Sequence, residues 1–171
     1  MTTFIPKPRP GEKGMLGRFG RYLEEFEVGD VYQHAHSITI TGAMHHLFCA
    51  ITMTHNPLHL DSNFAEHETQ FGKNVVAGHM IYSTALGMSV PDVSGLAIAN
   101  LEVHYLKHPA PVFHEDTIYA ETEVLAVTPS KSKPDRGIVR VKTTVRKQDG
   151  TVVCEFERSV LIPKRNPTPV G

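Results

Sequence analysis

Residues 78–90 constrain the fold more than any other part of the chain. This segment reads G-H-M-I-Y-S-T-A-L-G-M-S-V, has no charged side chain apart from a protonatable His79, and is followed by Pro91. A helix that is apolar on nearly every side is unstable at a surface, because water would contact its hydrophobic side chains. We therefore predict a buried helix that ends at Pro91, covered by the rest of the chain.

Strand-like runs after this helix can supply that cover. A Q-D-G turn at residues 148–150 predicts a hairpin between the last two of these runs. One fully apolar helix with a run of antiparallel strands predicts an α+β domain in which a curved sheet wraps around a central helix. The predicted strands are residues 31–40, 96–106, 117–127, 138–147 and 151–162.

Two segments between the first strand and the buried helix are less regular. Thr41 is a suitable N-cap for a short amphipathic helix that ends near Thr54. Residues 56–72 begin with Asn-Pro and show no clear period, so we predict an ordered but irregular excursion. The helical spacing rests on four apolar residues, Met44, Leu47, Phe48 and Ile51.

The length of 171 residues suits one domain. We predict an extended N-terminal segment over residues 1–20, a domain over residues 21–163 and a proline-containing tail over residues 164–171. No stretch has the unbroken apolar character of a secretory signal or a membrane span, so we expect neither export nor membrane insertion.

Charge and cysteine content narrow the class of partner and the compartment. The chain has 17 Lys and Arg against 18 Asp and Glu, a formal net charge of -1, so no long-range field favours nucleic acid or an anionic membrane. Cys49 and Cys154 are too few for a disulfide framework, which favours a reducing cytoplasm.

Histidines are numerous, but they do not form a recognised metal motif. There are 11 of them, and none lies in an arrangement such as H-E-x-x-H, so we predict no metal. A glycine-rich phosphate loop, a G-x-S-x-G elbow and a cysteine nucleophile beside a matched base are also missing from the sequence. We therefore expect neither a nucleotide cofactor nor covalent catalysis.

The run T-M-T-H-N-P-L-H-L-D at residues 52–61, followed by F-G-K-N-V-V-A-G at residues 71–78, resembles the MaoC-like dehydratases and R-specific enoyl-CoA hydratases. Further similar runs lie at residues 20–30, 116–125 and 154–158, and residues 130–139 look most like the branch that hydrates mesaconyl-CoA or itaconyl-CoA. The resemblance implies a hot-dog fold and a hydro-lyase that acts on an acyl-coenzyme A thioester, with coenzyme A only as part of the substrate.

The resemblance also implies catalytic roles for specific residues. His59 matches the catalytic histidine of the family, and an imidazole can hold or release a proton near neutral pH. The aspartate of the family falls on Thr54 here, and threonine cannot exchange a proton near neutral pH. We therefore expect Thr54 and Asn56 to orient water while His59 transfers the proton, and Gly78 to offer a backbone N–H to the developing negative charge.

Other candidates would contact the substrate. Asp61 would orient the His59 ring or cap a helix or turn, and His55 and His79 flank the proposed site. For Gly78, the alternative to a role in the reaction is that a glycine is needed there only for close packing. The positively charged residues of one loop would either contact the phosphates of coenzyme A or form a solvated turn. The loop residues are Lys131, Lys133 and Arg136.

Two other functions remain open from the sequence. Because a threonine replaces the acid of the family, the chain could be a catalytically silent acyl-CoA-binding or partner subunit. The same fold could also direct water to the thioester carbonyl, as a thioesterase does. A small sheet with free edges gains from pairing with a second copy, so we expect a homodimer or a higher homo-oligomer.

Overall fold

The computed structural model describes residues 19–165. Most of the predicted N-terminal segment and of the predicted tail therefore lies outside the described residues. The elements, in chain order, are a 3-10 turn (Leu23–Glu25), strands β1 (Val31–Gln33) and β2 (Ile38–Thr39), helices α1 (Gly42–Ile51), α2 (Pro57–Leu60), α3 (Ser62–His67) and α4 (Gly78–Ser89), a π turn (Val90–Ser94), and strands β3 (Ala99–Lys107), β4 (Thr117–Pro129), β5 (Arg136–Lys147) and β6 (Val152–Pro163).

One antiparallel sheet contains all six strands. Its order is β1-β4-β5-β6-β3, and β2 also pairs with β4. The predicted hairpin between β5 and β6 is confirmed, and Gly150 provides its left-handed position with φ of 86°. Within residues 19–165, strand β3 pairs only with β6, so it forms one edge of the described sheet.

Helix α4 packs against the sheet as predicted. Its inward residues Met80, Ile81 and Ala85 are buried together with Val145 and Phe156 of the strands. The helix is not covered all round, however, because a stripe at four-residue spacing remains exposed, formed by His79, Ser83 and Gly87.

Helix α4 ends at Ser89, one residue before the end at Val90 that Pro91 predicted. The chain continues as the π turn Val90–Ser94, in which proline occupies one of the first two positions. Proline cannot donate the N–H that a further α-helical turn would use, and the backbone changes at this point from α to π geometry. No helix within residues 19–165 is long and apolar enough to cross a membrane.

The predicted strand over residues 31–40 is interrupted. Tyr32 pairs with Thr122, whereas Ile38 pairs with Ile118, so six steps along this segment lie opposite four steps along β4. At this bulge the fully buried ring of His34 bonds to Asp92 and Thr122. A strand pattern does not reveal such a bulge, because the alternation of residue types continues through it.

Helix α1 forms as predicted, with the Thr41 side chain accepting a hydrogen bond from the Met44 N–H, but it buries a different face. The buried residues are His45 and Cys49, whereas Leu47 and Ile51 of the predicted apolar stripe are exposed. Apolar spacing gave the wrong face because a histidine with two ring partners can be buried in place of an aliphatic residue.

Residues 56–72 are more regular than predicted, since they contain the short helices α2 and α3. The Asn56 side chain accepts from the Leu58 N–H, and the Asp61 side chain accepts from the Phe64 N–H. Each cap satisfies an amide at the start of a helix that is too short to show a hydrophobic period.

Arg158 of β6 is a buried cation near the end of α4. Its side chain is 1% exposed and donates to Asn100 Oδ1, Ser89 Oγ and Ser94 Oγ. Burial lowers the pKa of Arg158 to about 10, so the group stays charged at neutral pH. All three acceptors are neutral, and the C-terminal end of a helix favours a positive charge nearby.

Replacement of Arg158 tests this arrangement. We expect Arg158→Met to lower the free energy of unfolding by about 3 kcal/mol, because the hydroxyl and amide partners lose a charged donor in the interior. The control Lys142→Met removes a partly exposed ion pair with Glu155, in which Nζ and Oε1 lie 2.8 Å apart, and should cost less than about 1 kcal/mol. Urea denaturation measures both, and equal losses would contradict the role of Arg158.

Candidate active site

A cavity of about 340 Å³ lies at the N-terminal end of α4. His59, Gly78 and His108 line it, and its remaining wall is apolar, formed by Phe71, Val75, Val76, Ile81, Pro109, Ala110, Pro111, Val112 and Val153. Two imidazoles are therefore the only side chains among these lining residues that can exchange a proton near neutral pH.

The His59 ring has a defined orientation. Its Nδ1 lies 2.7 Å from the Val75 carbonyl oxygen, and a carbonyl can only accept, so Nδ1 carries a proton and donates it. In the neutral ring Nε2 is then the unprotonated nitrogen. Asp61 does not hold the ring in this structure, because its carboxylate caps α3.

Gly78 is the first residue of α4. The first amides of a helix have no partner within the helix and carry its positive partial charge. A Cβ at residue 78 would lie 2.8 Å from His108 Nε2, so any larger residue would displace that ring. His59 and Gly78, predicted from distant parts of the sequence, thus meet at one cavity.

The sequence did not predict a role for His45, although it is fully buried. Its Nε2 accepts a hydrogen bond of 2.9 Å from the Ala77 N–H, and its Nδ1 lies 2.9 Å from His114 Nε2. The His45 and His59 ring centroids are 5.7 Å apart. The adjacent pair of histidines at positions 45 and 46 gave no signal for this, because only the fold shows which one faces inward.

Burial, followed by the nearby imidazoles of His114, His59, His46 and His79, lowers the pKa of His45 to about 4. Burial also lowers the pKa of His114. Both rings are consequently neutral near pH 7, which fits an interior crowded with imidazoles, because several positive charges there would repel one another.

His108 is a second histidine whose place at the cavity the sequence did not predict. Partial burial is the main cause that lowers its pKa, and a hydrogen bond with the Val153 backbone opposes this effect. Residues 108–112, which line the cavity, belong to the connection from β3 to β4. The position of a connection of this kind is known only once the strands are paired.

Thr54 belongs to a chain of side-chain hydrogen bonds. Thr52 Oγ1 donates to the Phe48 carbonyl, so the 2.9 Å contact between Thr54 and Thr52 uses the Thr54 proton. His79 Nε2, 2.8 Å from Thr54 Oγ1, must then be the donor in that contact. One lone pair remains on Thr54, so this hydroxyl can accept from water but has no proton left to donate.

Thr54 and the remaining predicted residues are not among the residues that line the cavity. The Asn56 side-chain oxygen caps α2, and His55 is exposed next to it. Lys131 and Lys133 are exposed in the β4–β5 connection, and Arg136 forms a two-bond ion pair with the neighbouring Asp135.

Within one chain the basic loop is distant from the cavity. Arg136 begins β5, whereas Val145 of the same strand pairs with Cys154, next to the cavity residue Val153. Nine residues of strand at about 3.4 Å each separate the two positions by about 30 Å. The structure therefore does not bring the loop together with His59.

Within residues 19–165, no group of three or more His, Cys, Asp or Glu side chains is placed to hold a metal ion.

The chain is similar in sequence to curated proteins. The chain is 31% identical to mesaconyl-CoA hydratase of Cereibacter sphaeroides (86% of this chain, 42% of the relative) and 30% identical to β-methylmalyl-CoA dehydratase of Chloroflexus aurantiacus (83% and 44%). The chain thus spans less than half the length of these two curated relatives.

Solved structures show the same architecture. A MaoC-like dehydratase from Rhodospirillum rubrum matches with a TM-score of 0.76 at 31% identity, covering 86% of this chain and 99% of that one. A Mycobacterium tuberculosis protein with a double hotdog fold matches with a TM-score of 0.78 at 22% identity, covering 89% of this chain and 47% of that one. The predicted hot-dog fold is confirmed.

A family model described as "MaoC like domain" matches residues 25–147, which include every element from the first strand to the end of β5. Because this match covers most of the chain, and the resemblance seen in residues 52–78 lies within it, the chain belongs to the MaoC-like domain family.

Proposed function

We propose that this protein catalyses the reversible hydration of the carbon–carbon double bond in an enoyl-CoA thioester. The observation that carries the proposal is the His59 ring, whose Nδ1 is bound to the Val75 carbonyl so that Nε2 is free as a base, at the cavity that Gly78 also lines. This pairing supplies both a proton acceptor and a backbone donor for an enolate oxygen.

One imidazole suffices for the reaction. As the water oxygen bonds to the β carbon, its proton moves to His59 Nε2, and the electron pair of the double bond moves toward the thioester oxygen. The Gly78 N–H stabilises that enolate oxygen. The imidazolium then returns the same proton to the α carbon, and the carbonyl re-forms. We propose that Thr54, whose partner His79 adjoins Gly78, orients the water through its remaining lone pair, and these steps use no acid at residue 54.

The acyl group that we propose is short and possesses a branched dicarboxylic skeleton, as in mesaconyl-CoA or itaconyl-CoA. Two observations support this choice: residues 130–139 resemble that branch, and mesaconyl-CoA hydratase is one of the relatives. A mostly apolar cavity of about 340 Å³ suits a short acyl group. Coenzyme A would enter as part of the substrate, and we propose no separate cofactor and no metal.

We further propose that two copies associate through the β3 edge. In the described part of the chain, strand β3 has one neighbour, and apolar residues on and beside it are exposed: Ile98, Leu101, Val103 and Leu106. An edge of this kind invites pairing with a second chain. A second copy is also what could bring the basic loop of Lys131, Lys133 and Arg136 to coenzyme A.

The two free, buried cysteines support a cytoplasmic location.

The catalytic proposal predicts unequal effects at two neighbouring positions. We expect His59→Ala to lower kcat by about 1,000-fold, because the proton acceptor is lost, and Thr54→Ala to lower it by less than about 10-fold. Loss of enoyl absorbance is measured together with thiol release, using crotonyl-, mesaconyl- and itaconyl-CoA. Hydration removes the absorbance without releasing thiol.

His67→Ala serves as the matched control, because His67 is exposed on α3 and bonds only to the Asn63 carbonyl among its side-chain contacts in the described part of the chain. It should leave kcat unchanged. Comparable losses in the His59 and Thr54 variants would contradict the assigned roles. Thiol release from a saturated acyl-CoA would favour a thioesterase, and activity only after addition of another hot-dog chain would favour a silent subunit.

The edge-pairing proposal predicts the mass of the particle in solution. We expect wild type to sediment as a dimer or a larger assembly, and Leu101→Lys to shift it toward the monomer, because a charge on an edge strand opposes pairing. Val28→Lys is the control, since Val28 is exposed in the turn before β1. Analytical ultracentrifugation gives the masses, and an unchanged mass for Leu101→Lys would refute pairing through β3.

A further inference from the structure

We infer that His45 is a positioning residue whose neutral, Nδ1-protonated ring holds the segment that joins the proposed base to the proposed oxyanion donor. This inference rests on the proposed function and assigns a role to a residue with no place in the reaction steps above. His45 is fully buried in α1, and its ring is 5.7 Å from that of His59, measured between centroids.

The tautomer of His45 follows from its partners. A backbone amide can only donate, so the 2.9 Å contact with the Ala77 N–H requires His45 Nε2 to be unprotonated. In a neutral ring the proton is then on Nδ1, and it is donated to His114 Nε2, 2.9 Å away. The Ala77 N–H thus determines that His45 carries its proton on Nδ1, and this proton in turn requires His114 Nε2 to be an acceptor.

These contacts converge on three consecutive residues. His59 donates to the Val75 carbonyl, Val76 N–H donates 2.8 Å to the Val112 carbonyl, and Ala77 N–H donates to His45. The next residue is Gly78, whose amide is the proposed enolate donor. Loss of the Ala77 contact would free the peptide next to that donor, and small displacements at a reacting centre reduce rates strongly.

Two substitutions separate positioning from packing. Glutamine can accept from the Ala77 N–H with its oxygen and donate to His114 with its nitrogen, whereas methionine of similar size can do neither. We expect His45→Met to lower kcat by about 100-fold with KM changed by less than about threefold, and His45→Gln to restore kcat to within about 10-fold of wild type. His46→Met, an exposed neighbour in the same helix, is the control and should retain kcat.

A second readout does not depend on catalysis. Amide hydrogen exchange at Ala77 should be slow in wild type and in His45→Gln, and at least about 10-fold faster in His45→Met. Equal Ala77 protection in both variants, or equal loss of kcat in both, would overturn the inference. If wild type lacks hydratase activity, the proposed function fails, while exchange at Ala77 still decides whether His45 holds this segment.

Acidification gives a third readout. His45 has a pKa of about 4 in the folded protein and 6.5 when unfolded, so between these values the unfolded chain takes up a proton that the folded chain excludes. Stability should therefore fall as pH drops from 6.5 toward 4, with the unfolding equilibrium constant rising up to about 300-fold through this one group.

The groups that face His45 are the imidazoles of His46, His59, His79 and His114, and Glu115 acts on His114 in the opposite direction. They remain in His45→Gln, so the difference between wild type and variant isolates His45. We expect a shallower loss of stability in the variant in urea denaturation at pH 6.5 and pH 4. Identical pH dependence in the two proteins would show that the His45 ring is not held in its neutral form.

Discussion

The hydrogen bond from His59 to the Val75 carbonyl is the interaction on which the site depends. It fixes which ring nitrogen is free, and it joins α2 to the segment that leads into α4. Gly78 begins that helix. The backbone from Val75 to Gly78 therefore connects the carbonyl that holds the His59 ring to the amide proposed as the enolate donor. Because this backbone is bonded at Val75, Val76 and Ala77, the ring and the amide have a defined separation before any substrate arrives.

The fold explains why this arrangement is stable. The sheet covers the inward face of α4. The N-terminus of this helix lies at the cavity, and at its C-terminus Ser89 accepts a hydrogen bond from the buried Arg158. Each end of the helix therefore lies near the charge that its dipole favours: a developing negative charge at the N-terminus and the Arg158 cation at the C-terminus. The same burial that stabilises the helix keeps the neighbouring imidazoles neutral, which suits a site built around a proton acceptor.

Much of this could be predicted from the sequence. The apolar helix, the strand meander and the hairpin at Gly150 follow from local patterns, and His59 and Gly78 follow from a recognisable run of residues. The prediction of which face of α1 is buried was wrong, because burial of His45 depends on the Ala77 amide, which is 32 residues away. The position of His108 at the cavity also depends on strand pairing, and so no local pattern contains it.

The protonation state of the His59 ring tests the central claim most directly. Nitrogen-15 NMR of the ring at pH 7.5 distinguishes a protonated from an unprotonated nitrogen without any need for substrate. The account predicts a protonated Nδ1 and an unprotonated Nε2, because the Val75 carbonyl can only accept. A proton on Nε2 with a bare Nδ1 would contradict it, since the base would then face the backbone and the cavity would hold no proton acceptor at residue 59.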